Sequence, residues 1–166
     1  MLGRTYTTQN CSAARALEIV GERWSLLIIR DALFRGITRF SDFQRSLGIA
    51  SNILAARLDT FVAEGLMVPR TYSAEYDHQE YLLTDKGYDL QPVIIALTAW
   101  GDRWAAPRGA PVVFQHAGCG GPVAQHTVCG RCGGDLPPGE LRTLPGPGAG
   151  ASSPSPLRPP TSARRP

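Results

Sequence analysis

One succession of local signals between residues 11 and 104 limits the folds open to this chain. Four short amphipathic helices are followed by an alternating run and then by Glu80-Tyr81-Leu82-Leu83, which together are typical of a β-hairpin. Only residues 47–50, a stretch that contains Gly48, separate the third helix from the fourth. Helix, short turn, helix and hairpin in this order predict a winged helix-turn-helix, a mainly α fold with a small β-hairpin wing.

Apolar spacing predicts where the other helices lie. Residues 26–33 are apolar nearly all round, so they predict a central, buried helix. Pro92 fits the first turn of a last helix, which carries Ile94, Leu97, Gly101 and Trp104 on one stripe. The first helix is predicted by five apolar residues at helical spacing: Ala13, Ala16, Leu17, Val20 and Trp24.

Polar residues predict the boundaries of the helix-turn-helix. Ser41 and Gln44 match a capping box, so the third helix is predicted to begin at Ser41 and to end at Gly48. Ser51 is predicted as the N-cap of the fourth helix. Thr84-Asp85 is predicted to cap a short helix after the hairpin. Pro69 lies inside the first hairpin strand, which must therefore be an edge strand.

The fourth helix carries the residues that we predict to face DNA. Its inward face is defined by Leu54, Leu58, Phe61 and Val62, which leaves Ser51, Asn52, Ala55, Ala56 and Arg57 outward. Asn52 has the amide that pairs with adenine, and Arg57 offers a guanidinium to guanine or phosphate. Arg39 and Arg45, on the preceding helix and its approach, are predicted to contact phosphates.

Charge is distributed unevenly along the 166 residues, whose net charge is +3. Residues 1–58 carry a net +4, residues 59–107 a net −5 and residues 108–166 a net +4. This distribution excludes a uniformly basic nucleic-acid binder and allows a basic N-terminal face. We find no nucleophile–base pair and no phosphate loop, so an enzyme is not expected.

A longer set of residues runs through the same region: Cys11, Ala16-Leu17, Gly21-Glu22-Arg23-Trp24, Arg39-Phe40, Leu47-Gly48-Ile49, Leu54, Leu58, Glu64-Gly65-Leu66, Glu80-Tyr81, Leu83-Thr84, Gly87 and Trp100-Gly101. This succession resembles the HxlR family of bacterial winged-helix regulators. The resemblance implies a homodimeric, sequence-specific transcriptional regulator without enzymatic activity, paired through its first and last helices. Two recognition helices in a dimer enter successive major grooves, so we expect an inverted-repeat operator.

The chain departs from the pattern of that family at three places. Ser12 stands where the family usually has proline after its N-terminal cysteine, and Pro69 interrupts the first hairpin strand. Residues 74–79 lack the proline-rich hairpin tip and contain Glu75 and Asp77, which would repel phosphates. His78 occupies the place of a basic residue and is either an exposed loop residue or a residue that senses pH or contacts DNA.

Cys11 resembles by position the N-terminal cysteine that some HxlR-type regulators use to sense oxidants or electrophiles. A sensor needs a thiolate, which a helix N-terminus and a nearby cation favour, and Cys11 precedes a helix that carries Arg15. The alternative is a small buried hydrophobe at the dimer interface. A redox or small-molecule effector therefore stays open, and its identity does not follow from the sequence.

Two similar hexads lie beyond the region of that resemblance. His116-Ala117-Gly118-Cys119-Gly120-Gly121 and Cys129-Gly130-Arg131-Cys132-Gly133-Gly134 differ chiefly by histidine in place of the first cysteine. Ligands three residues apart in a tight turn can chelate one ion, and three thiolates with one imidazole suit Zn²⁺. His116, Cys119, Cys129 and Cys132 therefore predict a zinc-ribbon-like module, with His126 as the rival fourth ligand.

The predicted zinc site is structural. A catalytic zinc needs an open coordination position and a nearby general base, and no aspartate or glutamate lies between residues 108 and 134. Four cysteines in a chain without a signal peptide or long apolar run fit a cytoplasmic protein with metal ligands or reactive thiols better than a disulfide framework.

The sequence thus predicts three regions. Residues 1–107 form the winged-helix DNA-binding and dimerisation domain, residues 108–144 the zinc-ribbon-like module, and residues 145–166 a disordered tail rich in Pro, Gly, Ser and Ala. The tail has either no role or a weak electrostatic one through Arg164 and Arg165. From a different class, the alternative function is a protein-interaction adaptor that uses the winged helix and the ribbon to bind another protein.

Overall fold

The computed structural model describes residues 5–73 and 78–149. The hairpin tip with Glu75 and Asp77, and the tail from residue 150 onward with Arg164 and Arg165, lie outside the described residues. The chain divides into two compact units, with a boundary between Pro111 and Val112. Residues 7–10 belong to the second unit.

The first unit contains six helices and one hairpin among its described residues. They follow one another as α1 (Ser12–Val20), α2 (Ser25–Arg35), α3 (Phe40–Leu47), α4 (Ser51–Ala63), β1 (Met67–Ser73), β2 (His78–Leu83), α5 (Asp85–Tyr88) and α6 (Gln91–Trp104). The order is that of a winged helix-turn-helix, as the sequence predicts. Trp24, expected in the first helix, instead precedes α2, because α1 ends at Val20.

The core of this unit forms where α2 and α4 bury their apolar faces. Ile28 and Ile29 of α2 are fully buried, which confirms this helix as the central one. Leu54, Leu58 and Phe61 of α4 are also fully buried. The rest of the buried cluster comes from neighbouring elements: Val20, Phe43, Ile49, Leu66, Met67 and Ile94.

Helix starts differ from the predicted caps at two positions. Arg39 is the N-cap of α3 and Ala50 that of α4, and neither helix has a side-chain cap. The predicted capping box at Ser41 is therefore wrong, because Gln44 turns away from it. Its amide Nε2 donates to Oγ of Ser51 at 2.7 Å, a bond that links α3 to α4 across the turn.

Other local predictions are confirmed. Gly48 ends α3 with φ 61°, a left-handed conformation that costs glycine little. Thr84 caps α5 by accepting from the N–H of Gly87 at 3.2 Å. Proline lies in the first turn of α6.

The wing is an antiparallel pair of strands, in which Met67 pairs with Leu83 and Arg70 with Glu80. Strand β1 pairs only with β2 among the described residues, so Pro69 does lie on an edge strand. The free side of β2 is tied to the segment before α3. There the N–H of Tyr81 donates to the carbonyl of Thr38 at 2.8 Å, and Arg39 forms an isolated bridge with Glu80.

The second unit consists of short turns. Isolated antiparallel bridges join Gln115 to Pro122 and Val128 to Asp135, and each bridge closes one of the two hexads. No residue described between 112 and 149 is buried. Residues 112–149 therefore form no hydrophobic core among themselves.

Candidate functional site

The N-terminal turn of α4 presents an exposed surface of small and apolar residues. Ser51, Asn52 and Ala56 are exposed, as the sequence predicts, while Ala55 is half-buried. Ile53, which the sequence analysis did not single out, is 41% exposed on the same turn. This surface offers one amide, one hydroxyl and two apolar side chains to a partner.

Arg57 does not lie on that surface. It is only 8% exposed, and its Nη1 lies 3.9 Å from Oε1 of Glu22. The expectation that Arg57 faces outward is therefore wrong. The physical reason is helical spacing: position 57 is three residues after Leu54 and four before Phe61, so it falls on the apolar face.

Three arginines lie on or next to α3 and β1, the elements that contact α4. The side chain of Arg45 on α3 is 77% exposed, and its Nη1 lies 3.0 Å from Asp42. Glu80 of the wing accepts from Arg70 Nη2 at 2.8 Å and from Arg39 Nε at 3.4 Å. Because the Glu80 side chain is only 12% exposed, it is a fixed anchor between the start of α3 and the wing.

The electrostatics of Glu80 follow from these contacts. The hydrogen bond from Arg70 and then that from Arg39 lower the pKa of the Glu80 carboxyl below its ordinary value. Glu80 therefore stays ionised, and one carboxylate holds two guanidinium groups. The set keeps a net positive charge between the start of α3 and the wing.

His78 begins β2, where its backbone pairs with that of Ser73. Its side chain lies outside what the structure describes. A contact between His78 and DNA therefore stays a prediction.

A buried carboxylate braces α2 against α3. Asp31 is fully buried and accepts from Arg30 Nε at 2.9 Å and from the hydroxyl of Ser46. Nη1 of Arg35 lies 3.6 Å from Oδ2 of Asp31, the oxygen that accepts from Ser46. Since Ser46 is on α3, this network fixes the helix-turn-helix to the core.

Cys11 is exposed and is the N-cap residue of α1. The backbone N–H groups of Ala14 and then Ala13 lower the pKa of its thiol, and Arg15 adds a smaller effect in the same direction. Within one protomer, Cys11 is thus not a buried hydrophobe.

Helix α6 carries two apolar faces rather than one stripe. Ile94 is 3% exposed and belongs to the core. Leu97 and Trp104, predicted on the same stripe as Ile94, instead lie on an outer face that also includes Val93 and Trp100. The exposed fractions on this outer stripe are 47% for Val93, 51% for Leu97, 61% for Trp100 and 58% for Trp104.

The two hexads each bring a pair of predicted metal ligands together. Nδ1 of His116 lies 3.2 Å from the sulfur of Cys119. In the second hexad, the backbone N–H groups of Cys132 and Arg131 and the thiol of Cys132 lower the pKa of Cys129. His126 is elsewhere, with its Nδ1 3.5 Å from Oδ1 of Asp135.

The two pairs do not merge into one cluster. Across residues 5–73 and 78–149, no three His, Cys, Asp or Glu side chains lie together as the ligands of one ion would. The structure thus brings together His116 with Cys119 and Cys129 with Cys132. It does not bring the four residues into one site.

A helix-turn-helix with an exposed N-terminal turn, flanking arginines and a tethered hairpin defines a winged-helix protein that binds DNA. The family model for HxlR-like helix-turn-helix proteins matches residues 19–108, and this chain belongs to that family. The protein is therefore an HTH-type transcriptional regulator, from a family of DNA-binding proteins without enzymatic activity. In the described part of the chain, no helix is both long and apolar enough to cross a membrane.

Relatives extend beyond the family region. The HTH-type transcriptional regulator Rv3095 of Mycobacterium tuberculosis is 41% identical over 138 residues, which are 82% of this chain and 87% of the relative. Such a match in 166 residues necessarily includes the segment with both hexads. The solved structure of PA1607, a candidate transcription factor, has a TM-score of 0.74 and 41% identity over 84% of this chain and 97% of its own. The solved structure of PA1374 from Pseudomonas aeruginosa has a TM-score of 0.61 and 39% identity. That match covers 85% of this chain and 96% of PA1374.

Three residues of this candidate surface escaped the sequence analysis. Ile53 does not belong to the inward-facing residues predicted for α4. Helical periodicity therefore already implied that Ile53 faces outward. Arg70 and Glu80 lie directly opposite each other in the hairpin, so their side chains share one face of the wing. Their ion pair, however, required the register of the two strands.

Proposed function

We propose that this regulator binds an inverted-repeat operator as a homodimer, with α4 as the recognition helix. The outer stripe of α6 is the observation that carries the proposal. Four large apolar side chains, each about half exposed or more, repeat along almost the whole helix. A monomer rarely exposes so continuous an apolar surface, because its contact with water is unfavourable.

Pairing through this stripe accounts for the exposed apolar residues of α6 and α1 together. The positions 93, 97, 100 and 104 follow the spacing at which helices pack side by side. Leu17 on α1 is also 50% exposed and adds apolar surface on the other helix expected at the interface. A symmetric pair of protomers presents two α4 helices, and DNA with two equivalent half-sites matches that symmetry.

The exposed chemistry of α4 favours A·T base pairs in each half-site. Asn52 can donate to and accept from the major-groove edge of adenine, while Ile53 and Ala56 can contact thymine methyl groups. No arginine or lysine is exposed on the first two turns of α4, because Arg57 is buried. Guanine, whose usual partner is arginine, has no such partner on this turn.

Arginines from neighbouring elements supply the phosphate contacts. Arg45 is the most exposed of them, and its ion pair with Asp42 lies on the surface, where such pairs contribute little. Arg39 and Arg70 are held by Glu80 and keep a joint positive charge. These residues fix the position of the protein on DNA without selecting a sequence.

A binding experiment tests the assignment. Operator fragments are first selected from random duplexes with the full-length protein, and affinity is then measured at several salt concentrations. We expect an inverted repeat with A·T pairs in its half-sites. Asn52→Ala should weaken operator binding by about 1–3 kcal/mol and leave binding to scrambled duplex unchanged.

Arg45→Ala should affect binding to all DNA sequences rather than to the operator alone. It should weaken operator and scrambled duplex alike and lower the salt slope by about one. Arg108→Ala, which removes the same charge outside the helix-turn-helix, is the matched control and should change neither. Unchanged operator affinity in Asn52→Ala, or selection of a site without symmetry, would contradict the proposal.

We also infer that Cys11 gives the regulator a redox or electrophile input. Its exposure, its place at the start of α1 and its lowered pKa favour a reactive thiolate. Since α1 is one of the helices expected at the dimer interface, modification there would alter pairing and hence DNA binding. Dimer stability before and after oxidation is the measurement that tests this input.

A further inference from the structure

We propose that the extension after the winged helix binds one Zn²⁺ per chain, held by His116, Cys119, Cys129 and Cys132. We name the two tight turns the first knuckle, residues 116–121, and the second knuckle, residues 129–134. Its ligands belong to the second unit of the chain and α4 belongs to the first, so failure of the zinc proposal would leave the proposed function untouched.

The two knuckles share one backbone geometry. In the first, the N–H of His116 donates to Gly121 at 2.9 Å, and the N–H of Gly120 donates back to His116 at 2.8 Å. In the second, Cys129 donates to Gly134 at 2.9 Å and Gly133 to Cys129 at 2.8 Å. The repeat seen in the sequence is thus a repeat in three dimensions.

The repeat continues outside the hexads. The N–H of Val123 donates to the carbonyl of Phe114 at 2.9 Å, and the N–H of Leu136 donates to that of Thr127 at 2.8 Å. These bonds occupy equivalent positions, thirteen residues apart, and close each knuckle with the same small bridge. The two segments thus share one turn geometry, and each turn carries one pair of the predicted ligands.

Each knuckle has the features that bind a soft metal ion. The glycine after the second ligand has a left-handed backbone in both, with φ 70° at Gly120 and 71° at Gly133. In the first knuckle this turn holds Nδ1 of His116 3.2 Å from the sulfur of Cys119. Three thiolates with one imidazole are a ligand set that zinc prefers.

The lack of a core in this unit is an independent argument. None of the described residues after position 111 is buried, although they form ordered, hydrogen-bonded turns. Domains this small usually depend on a disulfide or a metal ion, because apolar burial alone does not offset the entropy of ordering. A single zinc bound by both knuckles would supply that stabilisation.

The structure shows two separate ligand pairs. A single zinc ion bound by both pairs would join them. Each pair is a chelate with ligands three residues apart, and tetrahedral coordination needs two such pairs. His126 is the weaker candidate, because it lies outside both knuckles and beside Asp135. Cys11 precedes α1 in the first unit and belongs to neither pair.

The site would be closed and structural. Four protein ligands leave no coordination position for water or substrate. A disulfide between Cys129 and Cys132 is the competing chemistry, but it would leave the first knuckle, with its histidine, without a role. The observations therefore favour the metal.

Metal content of the full-length, tag-free protein, made without chelator under inert gas, tests the proposal. We expect one equivalent of zinc per chain in the unaltered protein and in the control variants Cys11→Ser and His126→Ala. His116→Ala and Cys132→Ser should each lower the zinc content below half an equivalent after dialysis against a weak chelator. Cobalt substitution should give the intense visible bands of tetrahedral thiolate coordination.

A glycine pair tests the knuckle geometry without touching any ligand. Gly133→Ala places a side chain at φ 71°, where an alanine is strained, and should weaken zinc binding about tenfold. Gly130→Ala lies in the same knuckle, without a left-handed backbone and with open space around the added carbon. It should bind zinc as tightly as the unaltered protein.

Three results would overturn the proposal. The first is less than half an equivalent of zinc in the unaltered protein. The second is full retention of zinc in a Cys129→Ser/Cys132→Ser variant. The third is a Cys129–Cys132 disulfide as the main form of protein prepared under inert gas.

Discussion

Truncation of Trp100 at the centre of the outer stripe is the sharpest test of dimerisation. The side chain is 61% exposed, the largest exposed fraction on α6 among the stripe residues. A tryptophan can bury up to about 250 Å², so about 150 Å² of Trp100 stays accessible in one protomer. At about 25 cal/mol per Å², complete burial in a dimer would contribute about 4 kcal/mol per protomer.

Symmetry doubles that effect. A twofold interface contains Trp100 twice, and alanine retains part of the apolar surface, so Trp100→Ala would cost about 6 kcal/mol per dimer if burial were complete. Even half of that loss, about 3 kcal/mol, raises the dimer dissociation constant more than about 100-fold.

Sedimentation equilibrium over a range of protein concentrations measures this constant directly. Val68→Ala is the matched control, because Val68 is 48% exposed on β1 and lies on the wing rather than on α6. It should leave the dimer unchanged. Circular dichroism should show the same helix content for both variants as for the unaltered protein, while only Trp100→Ala should lower the melting temperature, because it loses stabilisation by the partner.

The reasoning fails under two clear results. One is an unaltered protein that sediments as a monomer at micromolar concentration. The other is a dissociation constant that changes less than about threefold in Trp100→Ala while the fold is intact. Either would mean that the stripe on α6 has a different role.

Two further predictions follow from lowered pKa values. Because Arg70 and Arg39 lower the pKa of Glu80, its ionised form stabilises the folded state above its ordinary pKa of about 4.3, and this contribution is lost as the pH falls through the lowered value. At neutral pH the unaltered protein should unfold at a higher urea concentration than Glu80→Gln, and this difference should disappear in acid. A difference that stays the same at every pH would exclude a stabilising role for the ion pairs of Glu80. Because the pKa of Cys11 is lowered, its thiolate should be alkylated by iodoacetamide at a lower pH than a free cysteine, and before any knuckle cysteine in the zinc-loaded protein. Mass spectrometry that finds Cys119, Cys129 or Cys132 modified first would contradict this order.

The sequence alone determined the elements whose signals are local. The order of helices and hairpin, the end of α3 at Gly48, the capping of α5 by Thr84 and the proline in α6 all depend on a few neighbouring residues. So does the repeated hexad, because a tight turn is specified by its own glycines. Helical periodicity and turn chemistry act over one or two turns of chain, which is the range that a sequence shows directly.

Tertiary structure decided which side chains remain accessible. Arg57 was expected to face DNA, yet α4 turns it toward Glu22 and the core. Gln44 bonds to Ser51 instead of completing a cap, because α4 begins within reach of its amide. The two faces of α6 also follow from packing, since the core covers Ile94 and leaves Trp100 open. Whether a side chain is exposed depends on which other segment packs against it. Such contacts between distant segments are set by the fold and not by local spacing.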